Sequence, residues 1–248
     1  MSISQISVVI IAKNAEETIT ECLSALQAFD DVVLYLNHSE DETEKIASTY
    51  GNVQIVHGDF LGFGTTKNSA ASHAKHAWIL SLDSDEILTS TLIKEIDKIT
   101  LEDKEVLYRL KRDNYFLGYK TQSQDTITRL YHKAFTAFND NRVHEKIVHP
   151  ECAKIYTFKA SLKHLTITDI NQTLTKIIHY TDLGAEREKT CFFTIVIAKS
   201  IFAFFKTYIV QGNILRGWIG YVLAVNSANK RYYKYLKQYI NCQEGKQK

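Results

Sequence analysis

An α/β fold built on a parallel sheet is what the first hundred residues predict. Three observations carry the prediction: short, β-rich apolar runs alternate with segments of helical spacing, the connections between them are short, and the alternation stops near residue 100. Strands that alternate with helices through short loops form right-handed βαβ units, whose sheet is covered on both faces. Beyond residue 100 a half of different build must follow.

ISVVIIA (Ile6 to Ala12) predicts the first strand, and Glu16 to Leu26 places Ile19, Leu23 and Leu26 at helical spacing. DVVLYL (Asp31 to Leu36) predicts the second strand, Asp41 to Tyr50 the second helix, and VQIV (Val53 to Val56) the third strand. A third helix, Thr65 to His76, leads into a fourth strand, Ala77 to Leu82. Ligands of such sheets bind at the carboxyl ends of the strands. The loops at residues 13–17, 37–41, 58–67 and 83–86 should therefore crowd one edge. Strand-like runs at Val106 to Leu110 and Thr126 to Tyr131 lack intervening long helices, which predicts a second half with mixed strands and acceptor contacts. Pattern thus divides the chain into 1–100, 101–185 and 186–248; with one proline and 10 glycines in 248 residues, no linker marks a boundary.

Acids and bases nearly balance, for a formal net charge of +2, so nothing in the composition suggests a nucleic-acid partner. Cys22, Cys152, Cys191 and Cys242 show no C-x-x-C spacing and follow no secretory signal. They are expected to be reduced, structural thiols in a cytosolic compartment. From Thr190 the chain turns apolar and aromatic, broken by Lys199 and Lys206, and then basic and Tyr-rich. Two lysines would be costly at a bilayer centre, so amphipathic helices lying in a membrane interface are expected. Packing on the domain or on a second copy is the alternative.

WILSLDSDEIL ends a greasy strand in Asp83, Asp85 and Glu86. Three carboxylates so close either favour the positive start of the helix from Thr89 or hold a cation, and hard oxygen donors suit Mg²⁺ or Mn²⁺. LGFGTTKN lacks the third glycine of a dinucleotide fingerprint, yet Lys67 and nearby backbone amides could meet phosphate; a surface lysine on a tight loop is the alternative. In VHEKIVH, His144 and His149 lie five apart, which excludes a zinc-protease helix face, while Glu145 among Arg142, His144 and Lys146 suits a general base. An exposed glutamate in a charged loop is the alternative. Arg129, a charge inside a strand, could reach an anionic ligand or form a surface ion pair. His73 and His76 are expected to be solvated.

Taken in order, ISVVIIAKNAEETITECL, NHSEDET, FLGFGTTKN, WILSLDSDEIL, RDNYFLGY, TRLYHK and VHEK resemble glycosyltransferase family 2, and within it the bacterial lipopolysaccharide-core type. The resemblance implies a GT-A fold: a Rossmann-like, nucleotide-sugar-binding βα half and an acceptor half sharing a mixed central sheet. It implies that Lys13, Asn14 and Glu17 lie along the nucleotide, with Lys67 and Asn68 matching a K-N before the third helix. Asp83 would lie near the ribose, Asp85 would hold Mn²⁺ or Mg²⁺ on the diphosphate, and Glu145 would be the base. The family's aspartate after the second strand is replaced here by Leu36 and Asn37, so recognition of the base, expected to be uridine, would rest on Asn37 or on backbone groups. The implied function is inverting hexosyl transfer from a UDP-sugar to a lipid-linked glycan at the inner face of the cytoplasmic membrane. Two rivals remain: a non-catalytic, membrane-associated sugar-nucleotide-binding module, and a haloacid-dehalogenase-like phosphatase, whose later lysine and acidic pair have no counterpart here.

Overall fold

The computed structural model describes residues 2–141, 145–185 and 190–244. It divides into two compact units, one ending at Thr166 and the other beginning at Ile167. In the first unit, β1 (Ile6–Ala12), β2 (Val32–Leu36), β3 (Val53–His57) and β4 (Trp78–Asp83) are the four predicted strands, all parallel. Alternate residues of a strand face opposite sides. Val8, Ile10 and Leu34 accordingly join one apolar cluster while Val9, Val33 and Tyr35 join another. Both faces of the sheet are covered, which is why β1 and β2 read as continuous apolar runs.

The connecting helices are α1 (Glu16–Ser24), α2 (Thr43–Ala47) and α3 (Phe63–Ser72). α2 is shorter than its sequence pattern predicts. The hydroxyls of Ser48 and Thr49 donate to the carbonyls of Lys45 and Ile46, at 2.7 Å each, and draw the chain out of the helix. After β4 come β5 (Glu86–Ile87) and α4 (Ser90–Ile96), then β6 (Val106–Phe116), β7 (Tyr119–His132) and β8 (Lys154–Ile167). β7 runs antiparallel to both β4 and β6, and β5 antiparallel to β8, giving one eight-stranded mixed sheet ordered β3-β2-β1-β4-β7-β6-β8-β5. The α/β, GT-A-type architecture expected from the sequence is therefore present. β6 and β7 extend well past the apolar runs that announced them. The two strands turn at Leu117 and Gly118, both at positive φ, and beyond the turn the first residues of β7 are mostly exposed. The 14-residue β8 was not expected as a strand.

The second unit is helical: α5 (Ile170–Ala185), α6 (Phe193–Phe205) and α7 (Gly217–Glu244), with a π-helical turn, Lys206–Val210, continuing α6. α5 and α6 both pack on α7. Near the turn into α7 the Asn213 carbonyl comes so close to Gly220 that a Cβ there would meet it at 1.8 Å. One expectation is corrected here. Cys191 and Cys242 form a disulfide, their Cα atoms 5.5 Å apart across 51 residues of sequence. The hairpin of α6 and α7 brings those ends together, which spacing along the chain does not reveal. Cys22 is a buried free thiol whose pKa burial pushes up, and Cys152 is free and exposed. The segment Phe193–Val210 is long and apolar enough to cross a membrane by length and composition, and only 11% of it is buried.

Candidate functional site

The carboxyl end of β4 gathers the site. Lys67, on α3 and only 2% exposed, places its Nζ 2.8 Å from Asp83 Oδ1 and 2.8 Å from Glu145 Oε1. It is no surface lysine. Arg129, 6% exposed on β7, bonds Asp83 and reaches Glu86 Oε1 at 2.7 Å, so it is a buried counter-ion and not a surface pair. Arg112, on β6, adds a third cation, 3.0 Å from Glu86 Oε1 and 2.6 Å from Asp125 Oδ2. Glu86 is fully buried and also accepts the Asp83 backbone N–H at 3.1 Å. Burial raises the Asp83 pKa, but the charges of Arg129 and Lys67 outweigh it and hold the carboxyl well below the usual range. Burial likewise pulls Arg129 down, and Asp83 and Glu86 outweigh it to hold the guanidinium above its ordinary value.

This network answers why three carboxylates end a strand. The helix-start reading is set aside, because α4 has no acid in its first turn and is capped by Thr89, whose Oγ1 accepts Leu92 N–H at 3.2 Å. Asp83 and Glu86 are neutralised by Lys67, Arg129 and Arg112. Asp85 faces differently: its Oδ2 lies 3.4 Å from His164 Nε2 on β8. Asn114 Nδ2 donates to the Ser123 carbonyl at 3.1 Å, which turns Oδ1 toward His164 Nδ1 at 2.6 Å. Nδ1–H therefore donates to Asn114, and the imidazole is held with Nε2 toward Asp85.

Glu145 is held by backbone. Asn68, at the middle of α3, donates to the Phe138 carbonyl and accepts its N–H, both at 2.9 Å. Asn139 N–H donates to the Lys146 carbonyl at 3.0 Å, closing the two limbs of the 138–147 segment. A Cβ on Gly64 would meet the Asn139 carbonyl oxygen at 1.8 Å, so only glycine lets this segment approach α3. Arg142 and His144, expected around Glu145, lie outside the described residues.

Two clefts meet at Asp83. One, of about 530 Å³, is lined by Lys13, Asn37, Phe60, Phe63, Asp85 and His164, at the strand ends where the sequence placed a nucleotide. The other, of about 600 Å³, is lined by Arg109, Arg112, Phe138, Glu145, Lys146 and His149. Asn14, in the left-handed region at φ +50, spends its side chain on the Glu40 N–H at 2.9 Å, and Glu17 is exposed on the first turn of α1. Asp41 accepts the Glu16 N–H at 3.0 Å and thereby secures the start of α1. Sequence reasoning missed His164, Arg112 and the burial of Glu86. Only a polar residue alternating within KASLKHLTI hinted at His164.

A family model described as glycosyl transferase family 2 matches residues 7–165, nearly the whole first unit. An uncharacterized glycosyltransferase of Rickettsia prowazekii is 27% identical over 94% of this chain and 86% of its own length. One from Rickettsia felis is 26% identical over 94% and 89%. Among solved structures, S. aureus TarS 1–349 in complex with UDP aligns at TM-score 0.46 and 14% identity, covering 97% of this chain and 92% of that one.

Proposed function

The chain belongs to glycosyltransferase family 2, and from that premise we propose an inverting, metal-dependent hexosyltransferase that uses a UDP-sugar. The observation that carries this reading is Lys67, whose ammonium joins Glu145 in one cleft to Asp83 at the boundary with the other. The strand-end cleft is the donor side, with Asn37 toward the base and Lys13 toward the diphosphate. Asp85 and His164 supply an oxygen and a nitrogen donor that fit Mn²⁺ or Mg²⁺. When bound, that ion would offset the charge on the departing diphosphate.

Glu145 acts from the second cleft. Lys67 bonds its Oε1, and Oε2 has no hydrogen-bond partner among the described residues. Oε2 takes the proton of an acceptor hydroxyl as its oxygen attacks the anomeric carbon. The glycosyl C–O bond breaks on the opposite face, the electron pair leaves with the diphosphate, and the configuration inverts. Arg109 and Lys146 make this cleft cationic: among the described residues Arg109 donates to the Thr126 carbonyl alone, at 3.3 Å, and burial together with the charges of both residues holds His149 below its ordinary pKa. That lining favours an anionic acceptor, such as a lipid-linked lipopolysaccharide or lipooligosaccharide core, glycosylated at the inner face of the cytoplasmic membrane.

A thermal-shift screen of nucleotide-sugars with and without Mn²⁺ tests the donor half, since a bound ligand raises stability by mass action. A shift that needs both the metal and a UDP-sugar is expected. Glu145→Gln should keep that shift while turnover, read as released UDP, falls by roughly 10²–10⁴-fold. Undiminished turnover would remove Glu145 from the mechanism.

A further inference from the structure

Between Thr190 and Gln243 the chain carries seven Lys and Arg and no Asp or Glu. Three of these cations, Lys199, Lys206 and Arg231, line one cleft of about 300 Å³ formed by α6, the π-helical turn and α7. Lys199 and Lys206 are two helical turns apart and so share a face. The cleft has no acidic residue in its lining, and none of the three cations has a carboxylate partner among the described residues. Its remaining polar groups are uncharged: Thr207 Oγ1 lies 2.9 Å from Ser227 Oγ, and Gln211 and Tyr235 complete the lining. Three like charges around one cavity repel unless an anion sits among them.

The other basic residues of the same helix are engaged. Lys230 lies over the Tyr180 ring at 4.8 Å, Lys234 over the Tyr235 ring at 5.6 Å, and Lys237 pairs with Asp182 at 2.6 Å. Among the described residues, the tail cations with neither a carboxylate nor a ring partner are thus these three in the cleft and Arg216 outside it. Its surroundings decide the anion's source. Phe202 on its wall is 65% exposed, and Val210, Leu215 and Trp218 on the following turns are 79%, 90% and 58% exposed. Apolar side chains of this kind enter the acyl boundary while neighbouring Lys and Arg reach the level of the phosphates.

We infer that this cleft seats the phosphate of an anionic phospholipid head group. The inference rests on the proposed action at the inner face of the cytoplasmic membrane and adds to it a seat built by three residues. The π-helical turn Lys206–Val210 contributes Lys206 and Thr207 to the cleft, and α6 contributes Lys199.

The test is co-sedimentation of the full chain with vesicles of phosphatidylcholine alone and of phosphatidylcholine mixed with phosphatidylglycerol. Binding to the mixed vesicles is expected, and K199Q/K206Q/R231Q should weaken it roughly ten-fold more than K230Q/K234Q/K237Q, which removes the same charge outside the cleft. K199R/K206R, which keeps the charges, should bind like the parent chain. Equal losses in the two triple variants, or no binding of the parent chain to the mixed vesicles, overturns the inference. So does binding of inorganic phosphate, followed by calorimetry, in a chain that ignores vesicles, because the anion would then be soluble. Helical content by circular dichroism excludes misfolding of the variants. The UDP-sugar and Mn²⁺ thermal shift is measured on the same samples, so that a failure of the donor reading is seen separately from a failure of the lipid seat.

Discussion

Lys67 decides how the site's acids share one small volume. Its stem is buried and its ammonium lies 2.8 Å from two carboxylates that the chain supplies 62 residues apart. Removing one member of a buried ion pair leaves uncompensated charge. Lys67→Met is therefore expected to cost about 3–5 kcal/mol in urea unfolding and to lower glycosyl transfer as well. A loss below about 1 kcal/mol, in the range of surface pairs, would mean that solvent already satisfies Asp83 and Glu145. Arg129 serves the same network from the other side. Of the two roles that the sequence offered for it, a surface pair does not match its burial against Asp83 and Glu86, while contact with an anionic ligand stays a proposal, since Arg129 is in the lining of the second cleft.

At the scale of elements, the turn before α3 is shaped by what lies against it. Gly62 stands at φ +100 as the helix begins, and Gly64 leaves room for the Asn139 carbonyl. Gly64→Ala would push that backbone away and, with it, the limb carrying Glu145. Turnover should fall at least ten-fold while the donor-induced thermal shift persists, since the donor cleft has neither Gly64 nor Asn139 in its lining. An unchanged rate would show that the segment yields without moving Glu145. In the helical unit, the Cys191–Cys242 pair fixes the start of α6 to the end of α7. Titration of the denatured, unreduced chain should find two thiols, Cys22 and Cys152, and four after reduction. Four without reduction would show that the pair is kept as thiols, as a cytosolic compartment favours.

On the scale of the whole molecule, the shifted carboxyl and imidazole groups bias stability in one direction below neutral pH. The charges of Arg129 and Lys67 overcome burial to hold Asp83 low; hydrogen bonds from Lys120, Ser161 and Gln124 do so for Asp113, and the Arg112 hydrogen bond for Asp125. A carboxyl whose pKa is lower folded than unfolded stabilises the fold above its unfolded pKa and loses that contribution as pH falls toward the folded value. Burial holds His132 and His149 below their ordinary values too, so protonating them also favours unfolding. The melting temperature should thus decline gently below about pH 6.5 and steeply below about pH 4. In calorimetric scans, Asp113→Asn should melt below the parent chain at neutral pH, with the gap closing under acid. A gap that persists at the lowest pH would deny Asp113 this role.

The sequence by itself determined the βαβ half, because strands covered on both faces must be apolar along their length and helices between them must repeat at their own period. It also singled out Asp83, Asp85 and Glu145 as candidates, since short motifs at strand ends and loops can be read without knowing what they touch. Tertiary structure decided what those residues do to one another: that Lys67 bridges two of them, that Arg129 and Arg112 neutralise Glu86, and that His164 stands beside Asp85. It decided the Cys191–Cys242 pairing and the cationic cleft of the tail as well. Each of these joins residues far apart in sequence through strand order or helix packing, and distance along a chain carries no record of which segments will meet.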